Sequence, residues 1–213
     1  MELADRLGAP LRTAARHRAP VRSEHADHDV QALGTNGIAH LVETLYQPLF
    51  NAQSERLTVP YGVETYSQQQ QTTLFRETWL RVLPRLEAAR MWLAPSTGVP
   101  HLRVPCPHSC GWAEKYAQRS RVELAGRGFA HVAAVCLHHG PYAATITPTG
   151  GGYLDLATLY RNMVKELAAL AETDVLQVLV KGTDWMPGSL LVDGAFQTVG
   201  LTRAHCPLGC SAR

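Results

Sequence analysis

Two short stretches, CPHSC at residues 106–110 and CLHH at residues 136–139, decide how the middle of this chain folds. The first is a C-x3-C motif and the second, after 25 intervening residues, supplies C-x2-H. Zinc takes about four thiolate or imidazole ligands in a tetrahedron, and two short chelating pairs on tight turns supply that geometry. The pattern therefore predicts a zinc site. Its predicted ligands are Cys106, Cys110, Cys136 and His139.

Two further histidines, His108 and His138, lie inside the motifs and are the alternative ligands. The competing interpretation is that these cysteines are buried thiols, which pack as small hydrophobic side chains. Turn-forming residues next to both pairs, Pro107, Gly111 and Gly140, favour the metal. A closed set of four protein ligands predicts a structural zinc, because a catalytic zinc keeps one position open for water.

The flanking sequence predicts that the two motifs belong to a zinc-ribbon-like insert spanning residues 101–150. Apolar and β-branched residues indicate short strands in this segment. They are expected at residues 102–104, 121–124, 132–135 and 143–147.

Residues 151–201, which follow the insert, have the pattern of a Rossmann-like half unit. A helix capped by Asp155 is predicted to run to about residue 171, and a second helix spans residues 187–199. Between them, the apolar run at 175–180 is typical of a strand buried on both faces of a parallel sheet. The predicted fold class is therefore α/β (α+β overall), with half of an open parallel sheet.

Residues 35–100, which precede the insert, are predicted to be a helical region. Apolar residues recur at helical spacing over residues 36–50. A capping box from Ser67 to Gln70 is predicted to open a longer helix that reaches about residue 93, with a kink at Pro84.

Both ends of the chain carry little pattern. Residues 1–34 are predicted to be a flexible N-terminal segment and residues 202–213 an exposed tail. The tail contains a second C-x3-C pair, Cys206 and Cys210, with no matching second pair of ligands.

Composition excludes several classes of protein. The chain has 213 residues, a formal net charge of +2 and a hydrophobic share of 46%, which fits a domain with a core. The charge is too close to neutral to indicate nucleic-acid binding by itself. The charged N-terminus and the lack of a long apolar run predict neither export nor membrane insertion. Five cysteines, an odd number, fit reduced thiols in the cytoplasm.

A resemblance to a known family enters at residues 178–185, VLVKGTDW, and at the helix that follows. A strand, a Gly-x-Asp turn and an amphipathic helix resemble the second half of the class I aminoacyl-tRNA synthetase catalytic domain. The cysteine-rich segment ahead of them is similar to the connective region of the lysyl-type enzymes. The resemblance covers roughly residues 36–200. It implies a nucleotide site, for ATP or AMP. In that site Gly182 lets the backbone approach the nucleotide closely, and Asp184 accepts a hydrogen bond from a ribose hydroxyl.

This chain departs from the family pattern at both ATP-binding signatures. It has no His-x-Gly-His sequence after an N-terminal strand, and no KMSKS loop follows Gly200. The resemblance therefore implies a synthetase-like protein without independent amino-acid activation and without catalytic residues, whose partners are tRNA or another protein subunit. The alternative role for Asp184 is to cap the last helix.

Two other functions compete with this interpretation. The chain is also consistent with a non-catalytic zinc-ribbon module that binds RNA or a protein through basic and aromatic residues of the ribbon. These are Lys115, Arg119, Arg121 and Arg127 with Trp112 and Tyr116. A zinc hydrolase using His108 or His138 with Glu114 is the weakest hypothesis, because no H-E-x-x-H motif is present.

Overall fold

The computed structural model describes residues 11–13, 47–57, 61–63, 66–108, 118–126, 128–172 and 183–200. Helices and small sheets are combined in one chain, so the fold is mixed α and β, of the α+β kind. Among these residues, no helix is both long enough and apolar enough to cross a membrane.

The helices lie mainly on either side of the central sheet region in the sequence. In chain order they are α1 (Gln47–Leu57), α2 (Tyr66–Gln69), α3 (Thr73–Val82), α4 (Leu86–Leu93), α5 (Thr158–Leu170) and α6 (Met186–Thr198). A 3-10 turn, Leu83–Arg85, separates α3 from α4. It contains Pro84, which cannot donate a backbone hydrogen bond, and this confirms the predicted kink.

The strands of the described residues form three small sheets. They are β1 (Leu11–Thr13), β2 (Tyr61–Val63), β3 (Leu102–Arg103), β4 (Gln118–Leu124), β5 (Ala130–Cys136), β6 (Gly140–Ile146) and β7 (Asp155–Leu156). β4, β5 and β6 form an antiparallel meander, β3 pairs with β7 antiparallel, and β1 pairs with β2 parallel. The strands predicted at 102–104, 121–124, 132–135 and 143–147 are all confirmed to within a few residues.

One hydrophobic core joins the meander to the helices. Along β5 the side chains alternate between buried and outward-facing positions, as expected for a strand with one buried face. Ala130 and Val132 face the same cluster as residues of α3, α5 and α6. The largest fully buried side chains of this cluster are Trp79, Tyr160, Phe75 and Phe196. The core thus crosses the predicted boundaries at residues 100 and 150.

The predicted capping box at Ser67–Gln70 is wrong. α2 ends at Gln69, a turn follows, and Thr72 is the residue that caps α3, where its Oγ1 accepts a hydrogen bond from the backbone N–H of Phe75 at 3.2 Å. Gln70 instead is buried, and its Oε1 accepts a 2.6 Å hydrogen bond from the backbone N–H of Leu154. A tertiary contact has therefore taken the side chain that the local pattern assigned to the helix start.

The predicted cap at Asp155 is wrong for a similar reason. Asp155 lies in β7 opposite Arg103 of β3, and its Oδ2 accepts a hydrogen bond from Nη2 of that arginine at 2.7 Å. Ala157 occupies the N-cap position of α5 and provides no side-chain cap. The helix itself, at 158–170, and α6 agree with the predicted helices.

Two predicted elements lie wholly or partly outside the described residues. Of the helix predicted at 36–50, only 47–50 is described, and those residues form the first turn of α1. The strand predicted at 175–180 is not described. In the part of the chain that the structure describes, the only parallel pairing joins the three-residue strands β1 and β2, so a Rossmann-like sheet is not seen there.

Candidate metal centre

The turn between β5 and β6 presents one cysteine and one histidine at the end of the meander. Cys136 is the last residue of β5 and pairs with Gly140, the first residue of β6. Gly140 has a φ of 76°, a left-handed conformation that glycine adopts without steric cost and that lets three residues close the turn. The turn brings Nδ1 of His139 to 3.6 Å from Sγ of Cys136.

The second cysteine reaches this turn from the chain segment after β3. Val104, which is 1% exposed, fixes this segment, because its carbonyl oxygen accepts a hydrogen bond from the hydroxyl of Tyr142 on β6. Two residues later, Sγ of Cys106 lies 3.5 Å from Nδ1 of His139. Tyr142 also packs against the two cysteines. Residues about 30 positions apart in sequence therefore converge on one point.

Cys106, Cys136 and His139 form a group that could hold a metal ion. Their ligand atoms, two Sγ and one Nδ1, all lie within 4.8 Å of one another. The cysteines are 3% and 1% exposed, whereas the histidine is exposed, so the group is open to solvent on one side. No described carboxylate belongs to the group. Two thiols and one imidazole are a donor set that suits zinc.

The environment of Cys136 favours its thiolate form. Burial of this thiol raises its pKa, but hydrogen bonds from the backbone N–H groups of His138 and His139 and from the side chains of His139 and Cys106 outweigh that effect. Together they lower the pKa of Cys136 from 9.0 to about 7. A metal binds the thiolate rather than the thiol, so the turn prepares this residue for metal binding.

The other predicted ligands are distributed around the group. The ring of His108 stacks on that of His139, with centroids 4.6 Å apart, and the ring of His138 meets it edge-on at 6.4 Å. Both flanking histidines are exposed. The structure thus brings together three of the four predicted ligands, while Cys110 lies outside the described residues.

Tyr142 is a contributor to this centre that sequence reasoning missed. Its side chain packs against the cluster of the two cysteines, and its hydroxyl holds the segment that leads to Cys106. The available signal was the alternation along β6, in which Tyr142, Ala144 and Ile146 share one face. Nothing in that alternation shows that a tyrosine on this face would reach across to residue 104.

The residues predicted to bind a nucleotide are only partly described. Asp184 lies exposed in the 3-10 turn Thr183–Trp185, and Gly182 is outside the described residues. Trp185, rather than Asp184, occupies the N-cap position of α6, so the alternative capping role of Asp184 is wrong. The tail residues Cys206 and Cys210 also lie outside the described part of the chain.

Comparison of the chain with protein-family models, with curated proteins and with solved structures found no match.

Proposed function

We propose that this protein binds one Zn²⁺ ion through Cys106, Cys136 and His139, with Cys110 as the fourth ligand. The single observation that carries this proposal is the convergence of three ligand atoms, from two separate chain segments, within 4.8 Å. Thiolate and imidazole are the ligands of structural zinc sites, and Cys3His is one of their common combinations.

The role proposed for the ion is structural. Two of its ligands are buried cysteines, and no described carboxylate belongs to the group to serve as a general base next to the metal. The ion would link the segment after β3 to the β5–β6 turn. That link matters because, among the described residues, two buried cysteines with Tyr142 packed against them make up the apolar cluster at this end.

At the level of the whole protein, the proposal is a non-catalytic module that uses this zinc-bound end to bind RNA or a protein partner. Of the basic ribbon residues, the side chain of Arg121 is described and lies exposed on β4. The resemblance to a class I synthetase fragment, with a Rossmann-like half and a nucleotide at Gly182 and Asp184, stays a prediction from the sequence. The exposed position of Asp184 leaves room for a ligand but does not favour one.

The test is metal analysis of the full chain, purified without added metal and without a metal-binding tag. We expect about one zinc per chain. The Cys136→Ser variant should contain almost none, and Cys206→Ser should retain it, because Cys206 is not a proposed ligand. Zinc-free wild-type protein that does not take up zinc from a buffered solution would overturn the proposal.

The fourth ligand is tested by comparing Cys110→Ser with His108→Ala. Loss of a ligand should weaken zinc binding strongly, whereas loss of a stacked neighbour should weaken it by a smaller factor, of order 10- to 100-fold. A stronger effect of His108→Ala would assign the fourth position to the histidine. Cobalt substitution provides an independent count of thiolate ligands from the charge-transfer absorption.

A further inference from the structure

We infer that Cys106 and Cys136 are also a redox pair, which a small peroxide converts to a disulfide with release of the bound metal. The inference rests on the proposed zinc site and concerns how occupancy of that site is regulated. Its basis is the relative position of the two Sγ atoms and their common neighbour, His139.

The two sulfur atoms are close enough either to bind one zinc ion together or to form a disulfide. They lie within 4.8 Å of each other, and neither is part of a disulfide. Two thiolates bound to one zinc at 2.3 Å would stand about 3.8 Å apart, whereas a disulfide needs about 2.05 Å. Closing the bond therefore requires less than about 3 Å of movement between the two sulfur atoms.

The burial of the thiols determines which oxidant can act. Both cysteines are almost fully buried, and the exposed member of the group is His139. A bulky disulfide such as oxidised glutathione has poor access to sulfur atoms in this position, because exchange requires in-line approach to the thiolate. Hydrogen peroxide is small enough to pass beside the imidazole, so it is the oxidant class that we assign.

Oxidation of the two thiolates by hydrogen peroxide needs no second oxidant. One thiolate attacks an oxygen of hydrogen peroxide, the O–O bond breaks, and a sulfenic acid and hydroxide form. The second thiolate attacks the sulfenic sulfur, the S–S bond forms, and a second hydroxide leaves. The two thiolates lose two electrons, the peroxide gains them, and two protons from solvent convert the hydroxides to water. Zn²⁺ leaves because it has lost two anionic ligands.

Oxidation would replace one cross-link with another. Zinc and the disulfide both connect the segment after β3 to the end of β5, so the contact of Tyr142 with Val104 is retained in either state. What changes is the turn at residues 137–139, because His139 no longer has a metal to bind. The exposed end of the meander would therefore respond to peroxide while the helical core does not.

The experiment treats the zinc-loaded full chain with one equivalent of hydrogen peroxide and follows zinc release with a chromophoric chelator. Disulfides are then assigned by peptide mapping without reduction. We expect about one zinc released per chain, a Cys106–Cys136 disulfide, and recovery of zinc binding after dithiothreitol. The His139→Ala variant, which keeps both thiols, should form the same disulfide, and a Cys206→Ser, Cys210→Ser double variant should behave like wild type.

The outcomes separate this inference from the proposed zinc site. Zinc that remains bound, or that leaves while the cysteines form sulfinic acids or a Cys106–Cys110 bond, would overturn the redox pair and leave the zinc site standing. Protein that binds no zinc but forms the Cys106–Cys136 disulfide would support the disulfide alone and would overturn both the zinc site and the release of metal. No zinc and no such disulfide would overturn both.

Discussion

The two ends of strand β5 are held in place by different means. At its start, Ala130 and Val132 are part of a large apolar cluster that includes Trp79 and Tyr160. At its other end, in the part of the chain that the structure describes, Cys136 forms a small cluster with the buried residue Cys106. Burial of many apolar side chains stabilises the helical core by itself. The described residues at the Cys136 end, here called the metal end, bury little apolar surface, so we expect ligands that can share an ion to replace packing there.

The largest effect is expected from Cys106→Ser, which removes a proposed ligand. Zinc content should fall from about one per chain to nearly zero, since three ligands do not make a structural site. Hydrogen exchange should become fast in the β5–β6 turn but stay slow in α3 and α5, because metal binding contributes folding free energy locally. The measurement is hydrogen exchange by mass spectrometry with parallel metal analysis.

If Cys106→Ser lost protection against hydrogen exchange equally in the β5–β6 turn and in α3 and α5, the contrast between the two ends of β5 would be wrong. It would mean that the metal end and the helical core unfold as one cooperative unit. Cys206→Ser, which lies outside the proposed site, is the matched control and should exchange like wild type.

Trp79→Ala is the converse change, and we expect it to destabilise the protein by about 3–5 kcal/mol. Trp79 has no exposed surface and belongs to the apolar cluster, so its removal leaves a cavity. Zinc content under native conditions should remain about one per chain. Urea unfolding measures the loss. Trp92→Ala is the control, because Trp92 is 42% exposed and its truncation should cost clearly less.

A smaller loss of stability is expected from a change in the loop after β6, which is hydrogen-bonded to α3. Arg76 of α3 donates hydrogen bonds to the carbonyl oxygens of Gly150 and Gly152, at 2.9 and 2.8 Å. Gly151, between them, has a φ of 116°, and a Cβ there would lie 2.4 Å from the carbonyl oxygen of Thr145. Gly151→Ala should therefore cost about 2–3 kcal/mol through backbone strain and this close contact.

Gly152→Ala is the matched control for that loop. Gly152 also has a positive φ, of 82°, but a Cβ at this position would meet no atom within 4 Å. Only the conformational strain remains, about 1 kcal/mol. Thermal unfolding of both variants measures the difference, and equal losses would show that the contact with Thr145 contributes nothing.

The remaining prediction concerns the pH dependence of the reduced, metal-free protein. The pKa of Cys136 is lowered from 9.0 to about 7 in the folded state, so between these values the unfolded chain binds more protons than the folded chain. The stability that this thiolate contributes is complete above pH 9.0 and is lost as the pH falls through about 7. Thiolate absorbance near 240 nm should titrate at about 7, and Cys136→Ser should lack this step. A single titration near 8.5 would contradict the shift.

Local patterns were sufficient where neighbouring residues decide the structure. The apolar spacing predicted α5 and α6, Pro84 predicted the break after α3, and the apolar run at 132–135 predicted part of β5. In each case the decisive contacts lie within one turn of helix or within one strand. The spacing of the cysteine and histidine motifs predicted a metal group in the same way, because chelating pairs are local features.

The local patterns failed at Gln70 and Asp155, where two helix caps were predicted. The sequence correctly identified side chains that accept hydrogen bonds, but it could not show which donors they would bind. Gln70 binds the backbone of Leu154, 84 positions away, and Asp155 binds Arg103, 52 positions away. A buried polar group binds whichever partner the packing places next to it, because a buried donor or acceptor without a partner costs free energy.

The sequence by itself determined which residues can act as metal ligands and where the main helices and strands lie. It also determined that Cys136 and His139 lie together at one tight turn. Only the tertiary structure decided that Cys106 meets them, through Tyr142 and the carbonyl group of Val104, and that one apolar core joins the sheet to the helices. The physical reason is the separation in sequence between the residues that decide each feature. Chelating motifs and periodicities depend on residues a few positions apart, whereas the assembly of a ligand set depends on how distant segments pack.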